Sequence, residues 1–150
     1  MIYRVMSDDK TEQIGRELAE KLTKLNIKRA YIAMRGEMGV GKTVFTRGFV
    51  SHFGTANVKS PTYTIVNEYR LGGVRIYHFD LYRITDGDDL ESIGYHDYVE
   101  SDAFCIVEWS ERVPEYIPDD AITVTISRVP ENDMYRDIEI EGVPYDNTCI

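Results

Sequence analysis

Eight consecutive residues, Gly36-Glu37-Met38-Gly39-Val40-Gly41-Lys42-Thr43, place glycines, a lysine and a threonine at the spacing G-x-x-x-x-G-K-[ST]. That spacing suits a chain of phosphates. Glycines let the backbone curl so that successive N–H groups point inward around an anion. A helix starting near Lys42 would add the positive end of its dipole to the same spot. Lys42 would supply a mobile charge for the β- and γ-phosphates, and Thr43 a hydroxyl ligand for Mg²⁺. Chance alone would produce such a string in roughly 1% of chains this long. The nucleotide-binding candidates are therefore Glu37, Met38, Gly39, Val40, Gly41, Lys42 and Thr43.

Magnesium usually takes one or two carboxylates besides the hydroxyl and the phosphates. Two acids end apolar, β-prone runs: Asp80 after RIYHF, and Glu108 after AFCIV. Ligands of open α/β sheets gather at the carboxyl ends of strands, so both acids qualify, and the residues alone leave the choice open. Ser60-Pro61-Thr62-Tyr63-Thr64 brings hydroxyls that could approach a γ-phosphate, although an ordinary Ser-Pro turn reads the same way. His78 lies on the strand face of Asp80 and is expected to be a hydrogen-bonded core residue. Trp109 is expected to pack.

These residues need elements to hold them. Ala30 to Met34 reads as a buried strand before the glycine loop, and Lys42 onward as a helix with Phe45, Phe49 and Phe53 on one face, stopping near Gly54. Ser7, Asp8 and Asp9 start an earlier helix whose apolar face is Ile14, Leu18, Leu22 and Leu25. Thr62 to Leu71 and Val74 to Phe79 flank Gly72-Gly73 as a hairpin. Asp86 to Tyr98 reads as short helix and loop, Ala103 to Val107 as a strand buried on both faces, and Pro114 and Pro118 as brackets of a connection. Ile122 to Ile126 and Ile138 to Ile140 close the sheet, with VPENDMYR a connection longer than a tight turn between them. The sum is an α/β fold, expected to occupy residues 1–150 as a single domain.

Composition narrows the function classes. Of 150 residues, 17 are Lys or Arg and 26 are Asp or Glu, a net charge of −9 that opposes general binding to nucleic acid or anionic membrane. A phosphate can still be held locally, because charges more than about 8 Å away are screened at physiological salt. Cys105 sits in an apolar run and Cys149 near the end, with no CxxC pair, which fits a reducing cytoplasmic setting. No apolar run reaches the length of a transmembrane helix.

Taken together, GEMGVGKTVFTRGF, VKSPTYTIVNEY, YHFDLYRI, ESIGYHDY and IVEWSE, in this order, resemble the bacterial TsaE (YjeE) family from about Thr11 to Glu111. The resemblance implies a P-loop NTPase-like three-layer sandwich with a mixed, mainly parallel central sheet. It implies ATP and Mg²⁺ as cofactors, slow hydrolysis, and work with TsaB- and TsaD-type partners that modify adenosine in tRNA with a threonylcarbamoyl group. Hydrolysis in that family is thought to reset the complex, and contact with tRNA is expected to be indirect. The resemblance turns the magnesium question toward Thr43 and Glu108. It leaves Asp80 to position water or an outer-shell water of Mg²⁺, alongside Lys42 and Thr62 as catalytic candidates, and it adds Thr11 and Arg136 as nucleotide contacts. It also raises the importance of Trp109. Glu37-Met38 and Val40 depart from the Asp-Leu and Ala expected there, with little consequence if the loop binds through its backbone.

Three other functions compete. A small-molecule P-loop kinase needs a cationic lid, yet the residues from Asp86 to Glu111 include no Arg or Lys. A GTPase needs a guanine-reading Asn-Lys-x-Asp segment, which the chain lacks. A catalytically silent ATP-binding adaptor would tolerate loss of Asp80.

Overall fold

A computed structural model describes residues 1–61 and 64–144. Seven strands form one sheet: β1 (Ile2–Val5), β2 (Ala30–Arg35), β3 (Val66–Leu71), β4 (Val74–Asp80), β5 (Phe104–Glu108), β6 (Ile122–Val129) and β7 (Asn132–Glu141). Their order is β1-β7-β6-β2-β5-β4-β3. The four central strands, β6, β2, β5 and β4, run parallel, and the outer pairings are antiparallel.

Four helices cover the sheet: α1 (Asp8–Lys24), α2 (Lys42–Ser51), α3 (Gly87–Ser92) and α4 (Tyr95–Glu100). Side chains alternate across a strand, and the core divides accordingly. Ile32, Met34, Ile76, Phe104 and Ile106 face the cluster that includes Leu18 and Leu22 of α1 and Phe45 and Phe49 of α2. Tyr31, Ala33, Phe79, Cys105 and Val107 face the cluster with Leu90 of α3 and Tyr95 of α4. The result is the three-layer α/β sandwich expected from the sequence.

Helix α1 begins where the sequence says it should. The Ser7 side chain accepts from the Lys10 amide at 3.3 Å, Asp8 and Asp9 occupy the positive end, and Lys21 and Lys24 the negative end. Its apolar stripe packs on α2 at backbone contact. A Cβ built on Gly48 would lie 1.8 Å from the Glu12 carbonyl oxygen, and one on Gly15 would lie 2.1 Å from that of Phe45. Only glycine permits that approach. Phe45 and Phe49 lie on α2 as expected, while Phe53 falls just past its end at Ser51 and still packs on Phe49; Phe49 meets Phe104 edge-on at 5.3 Å, a pairing worth about 0.5–1.5 kcal/mol beyond burial.

Two expectations need correction, and one element went unrecognised. Strand β3, expected from Thr62, starts at Val66 in the described residues, which leave out Thr62: the Ile65 amide bonds back to the Pro61 carbonyl at 2.7 Å and the Thr64 hydroxyl donates to Asn67 at 2.8 Å, so Thr64 and Ile65 turn before the chain extends. The β6–β7 connection is tight, because Val129 pairs with Asn132 and only Pro130 and Glu131 lie between them. Strand β1, too short to have been recognised, pairs along its length with β7.

Candidate functional site

A cleft of about 420 Å³ opens at the carboxyl ends of β2, β5 and β4. The strand pairing assembles it. Met34 of β2 stands opposite Glu108 of β5, and Glu108 stands opposite Asp80 of β4. The phosphate loop leaves β2 at this level and runs into α2. Gly41, the residue before the helix, has φ 115°, a left-handed backbone that side chains rarely adopt. Met38, Gly39, Gly41, Lys42 and Thr43 all line the cleft, facing Asp80 and Glu108.

Lys42 is nearly buried, at 5% exposure. Its ammonium donates to the Gly36 carbonyl at 2.6 Å and lies 4.2 Å from the centre of the Trp109 ring. Burial pushes its pKa below the ordinary lysine value, while the carboxylates of Glu108, Glu111 and Asp80 pull it back up. Trp109 reaches this position because the chain turns sharply after β5, with Trp109 at φ 62°. A bulky residue in that region carries strain of about 1–3 kcal/mol, offset here by its contacts. Tyr82 packs on Trp109 with ring centres 5.2 Å apart.

The two acids differ in their surroundings. Asp80 accepts from the Tyr82 amide at 2.9 Å. Glu108, 4% exposed, meets Nε2 of the fully buried His78 at 2.5 Å. The expectation of a hydrogen-bonded His78 is thus met, but its partner is the candidate metal ligand itself. The Thr43 hydroxyl and the Glu108 carboxylate, lining one cleft, are hard oxygen donors of the kind Mg²⁺ takes beside phosphates.

A second cleft of about 340 Å³ adjoins the first, sharing Asp8 and Gly39. Thr11 and Arg136, far apart in sequence, both line it. Thr11 is buried against the loop, with its methyl 3.7 Å from where a Gly41 Cβ would be. Arg136 donates to the Asp133 and Tyr135 carbonyls at 2.6 and 2.8 Å. Of the remaining loop candidates, Val40 is buried in the core cluster and lines the second cleft, while Met38 is largely exposed. Ser60 lines the first cleft, whereas Thr62 lies outside the described residues.

Two basic residues escaped the sequence reading. Arg128, at the end of β6, donates to the Met38 carbonyl at 3.1 Å and sits 3.5 Å from the Glu37 carboxylate, bracing the outer side of the loop. The Arg112 guanidinium lies 5.0 Å from the Tyr82 ring centre and 5.8 Å from that of Trp109. It follows directly on the cation-free stretch that counted against a kinase, and only the fold shows how close to the cleft it comes.

Among the described residues, no helix is long and apolar enough to cross a membrane. The family model for the threonylcarbamoyl adenosine biosynthesis protein TsaE matches residues 5–138. The chain is 43% identical over 130 residues to the tRNA threonylcarbamoyladenosine biosynthesis protein TsaE of Haemophilus influenzae, covering 85% of this chain and 80% of that one. It is 32% identical over 149 residues to the protein of the same name from Bacillus subtilis, covering 98% and 90%. The crystal structure of Bacillus subtilis YdiB superposes with a TM-score of 0.72 at 28% identity, over 92% of this chain and 82% of that one.

Proposed function

Because the chain belongs to the TsaE family of threonylcarbamoyl adenosine biosynthesis proteins, we propose that it binds ATP with Mg²⁺ and hydrolyses it slowly, in step with TsaB- and TsaD-type partners that modify tRNA. One observation carries the reading: a glycine loop and a buried lysine face two acids that strand pairing sets side by side. The amides of residues 37–43 cradle the phosphates. Lys42 exchanges the Gly36 carbonyl for phosphate oxygens, relieving the cost of holding a buried ammonium on a neutral acceptor. Thr43 and Glu108 would hold Mg²⁺, which would offset the charge of the phosphates. Asp80, beside Glu108, orients the attacking water, and Thr11 and Arg136 contact the nucleotide beyond the phosphates.

Turnover by the isolated chain is then expected well below about 10 s⁻¹, the usual enzyme median. The test measures ATP consumption by the chain alone, with TsaB- and TsaD-type partners, and with small alcohols or nucleosides. Stimulation by the partners supports the proposal. Fast turnover by the lone chain, or stimulation by a small acceptor, overturns it in favour of a kinase. Co-purification with the partners with and without ATP, and mass spectrometry of tRNA nucleosides from depleted cells, test the biological role.

A further inference from the structure

We propose that His78 is a positioning residue that fixes the Glu108 carboxylate in the orientation a metal ion requires. The inference rests on the reading of Glu108 as a magnesium ligand.

His78 and Glu108 sit on neighbouring parallel strands, where His78 is in register with Ile106 and Asp80 with Glu108. By strand alternation they share the sheet face of Ile76 and Ile106, the face covered by α2. The imidazole is fully buried, and its Nε2 lies 2.5 Å from Glu108 Oε2. An ionised carboxylate only accepts, so the hydrogen of this bond sits on Nε2. Nδ1 has no partner among the described residues, so among them Glu108 is the hydrogen-bond partner of the ring. One carboxylate oxygen, Oε2, is thereby tied to the sheet, which limits rotation of the group. A buried carboxylate needs such a bond to avoid a large desolvation cost. An imidazole N–H meets that need from the strand next to Glu108. Carboxylate ligands are commonly held in this way, and loss of the supporting partner typically costs 10–100-fold in metal affinity.

The test is calorimetric titration of ADP, without turnover, at a series of Mg²⁺ concentrations. His78→Leu should raise the Mg²⁺ concentration giving half-maximal enhancement of ADP binding by about 10-fold, with the metal-free ADP affinity unchanged. His78→Gln, whose side-chain amide can donate from nearly the place of Nε2, should recover most of the loss. Glu108→Ala should remove the enhancement. A parental Mg²⁺ midpoint in His78→Leu, together with loss in Glu108→Ala, overturns the role of His78. An unchanged Mg²⁺ response in Glu108→Ala instead overturns the ligand reading, and the proposal falls with it. If His78→Gln is as impaired as His78→Leu, or metal-free binding falls equally, the residue merely packs. The unmodified protein gives an independent answer by ¹⁵N NMR of the imidazole: the Nε2–H signal should shift when Mg²⁺ is added to the ADP complex. If neither variant folds, an unmoved signal refutes the proposal and a shifted one supports it.

Discussion

Replacing Gly48 by alanine separates two physical effects by their sign. In a solvated helix interior the change stabilises by about 0.8–1 kcal/mol, because alanine loses less backbone entropy. In this protein the new Cβ would arrive 1.8 Å from the Glu12 carbonyl oxygen, 2.6 Å from its carbon and 2.9 Å from Glu12 Cα. Ordinary contact begins at 3.4 Å, so the first distance falls about 1.6 Å short, and the obstacle is backbone that cannot rotate away. Overpacking costs about 1–3 kcal/mol, and a clash with main chain belongs at the upper end. The net expectation is a loss of about 2 kcal/mol. For a chain of this size each kcal/mol lowers Tm by about 2–4 °C, so thermal unfolding should shift down by about 4–8 °C. The strain also reaches the site, since α2 begins with Lys42 and Thr43 while α1 carries Thr11. A misplacement near 1 Å can cost about 100-fold in rate, so ATP turnover should fall with stability. Differential scanning calorimetry and an ATPase assay on the same preparation check both. A variant that melts at or above the parent, with parental turnover, would show that the helices do not meet as described.

Other outcomes follow from the same geometry. Lys42→Ala removes the loop's charged donor, and calorimetry should show loss of tight ATP binding, whereas parental affinity would deny Lys42 its role. Asp80→Asn should slow hydrolysis while ADP binding stays near parental, and equal slowing and weakening would make Asp80 a binding residue. Burial lowers the Lys42 pKa, so the ammonium is lost as pH rises through an alkaline window below the ordinary lysine value of about 10.4. ATP affinity should decline across that window, and Lys42→Arg, which keeps its charge, should flatten the profile. In the same window the unfolded chain binds the extra proton, so the Lys42 contribution to unfolding free energy rises with pH.

The phosphate loop was legible because its chemistry needs contiguous residues at fixed spacing. The β3–β4 hairpin was legible because Gly72-Gly73 separates two β-prone runs that do pair, Leu71 with Val74. Local pattern failed where a local interaction competes with extension, as at Ile65 and Thr64 before β3. It failed as well where pairing, not propensity, makes the element, as for β1 against β7. Within the site, the contacts that were not legible depend on strand order. Arg128 braces Met38 across 90 positions and His78 meets Glu108 across 30, and no spacing in the sequence encodes the neighbouring of β6 with β2 or of β4 with β5.

Strand β2 lies between β5 and β6, both synthesised long after it. As the polypeptide leaves the ribosome, the phosphate loop emerges while both flanks of its strand are still untranslated. A stalled nascent chain released only as far as Ser101 therefore presents the whole glycine motif and yet lacks Glu108, Trp109 and the strands that seat them. On the proposed function, nucleotide capture would then await the synthesis of β5 and β6.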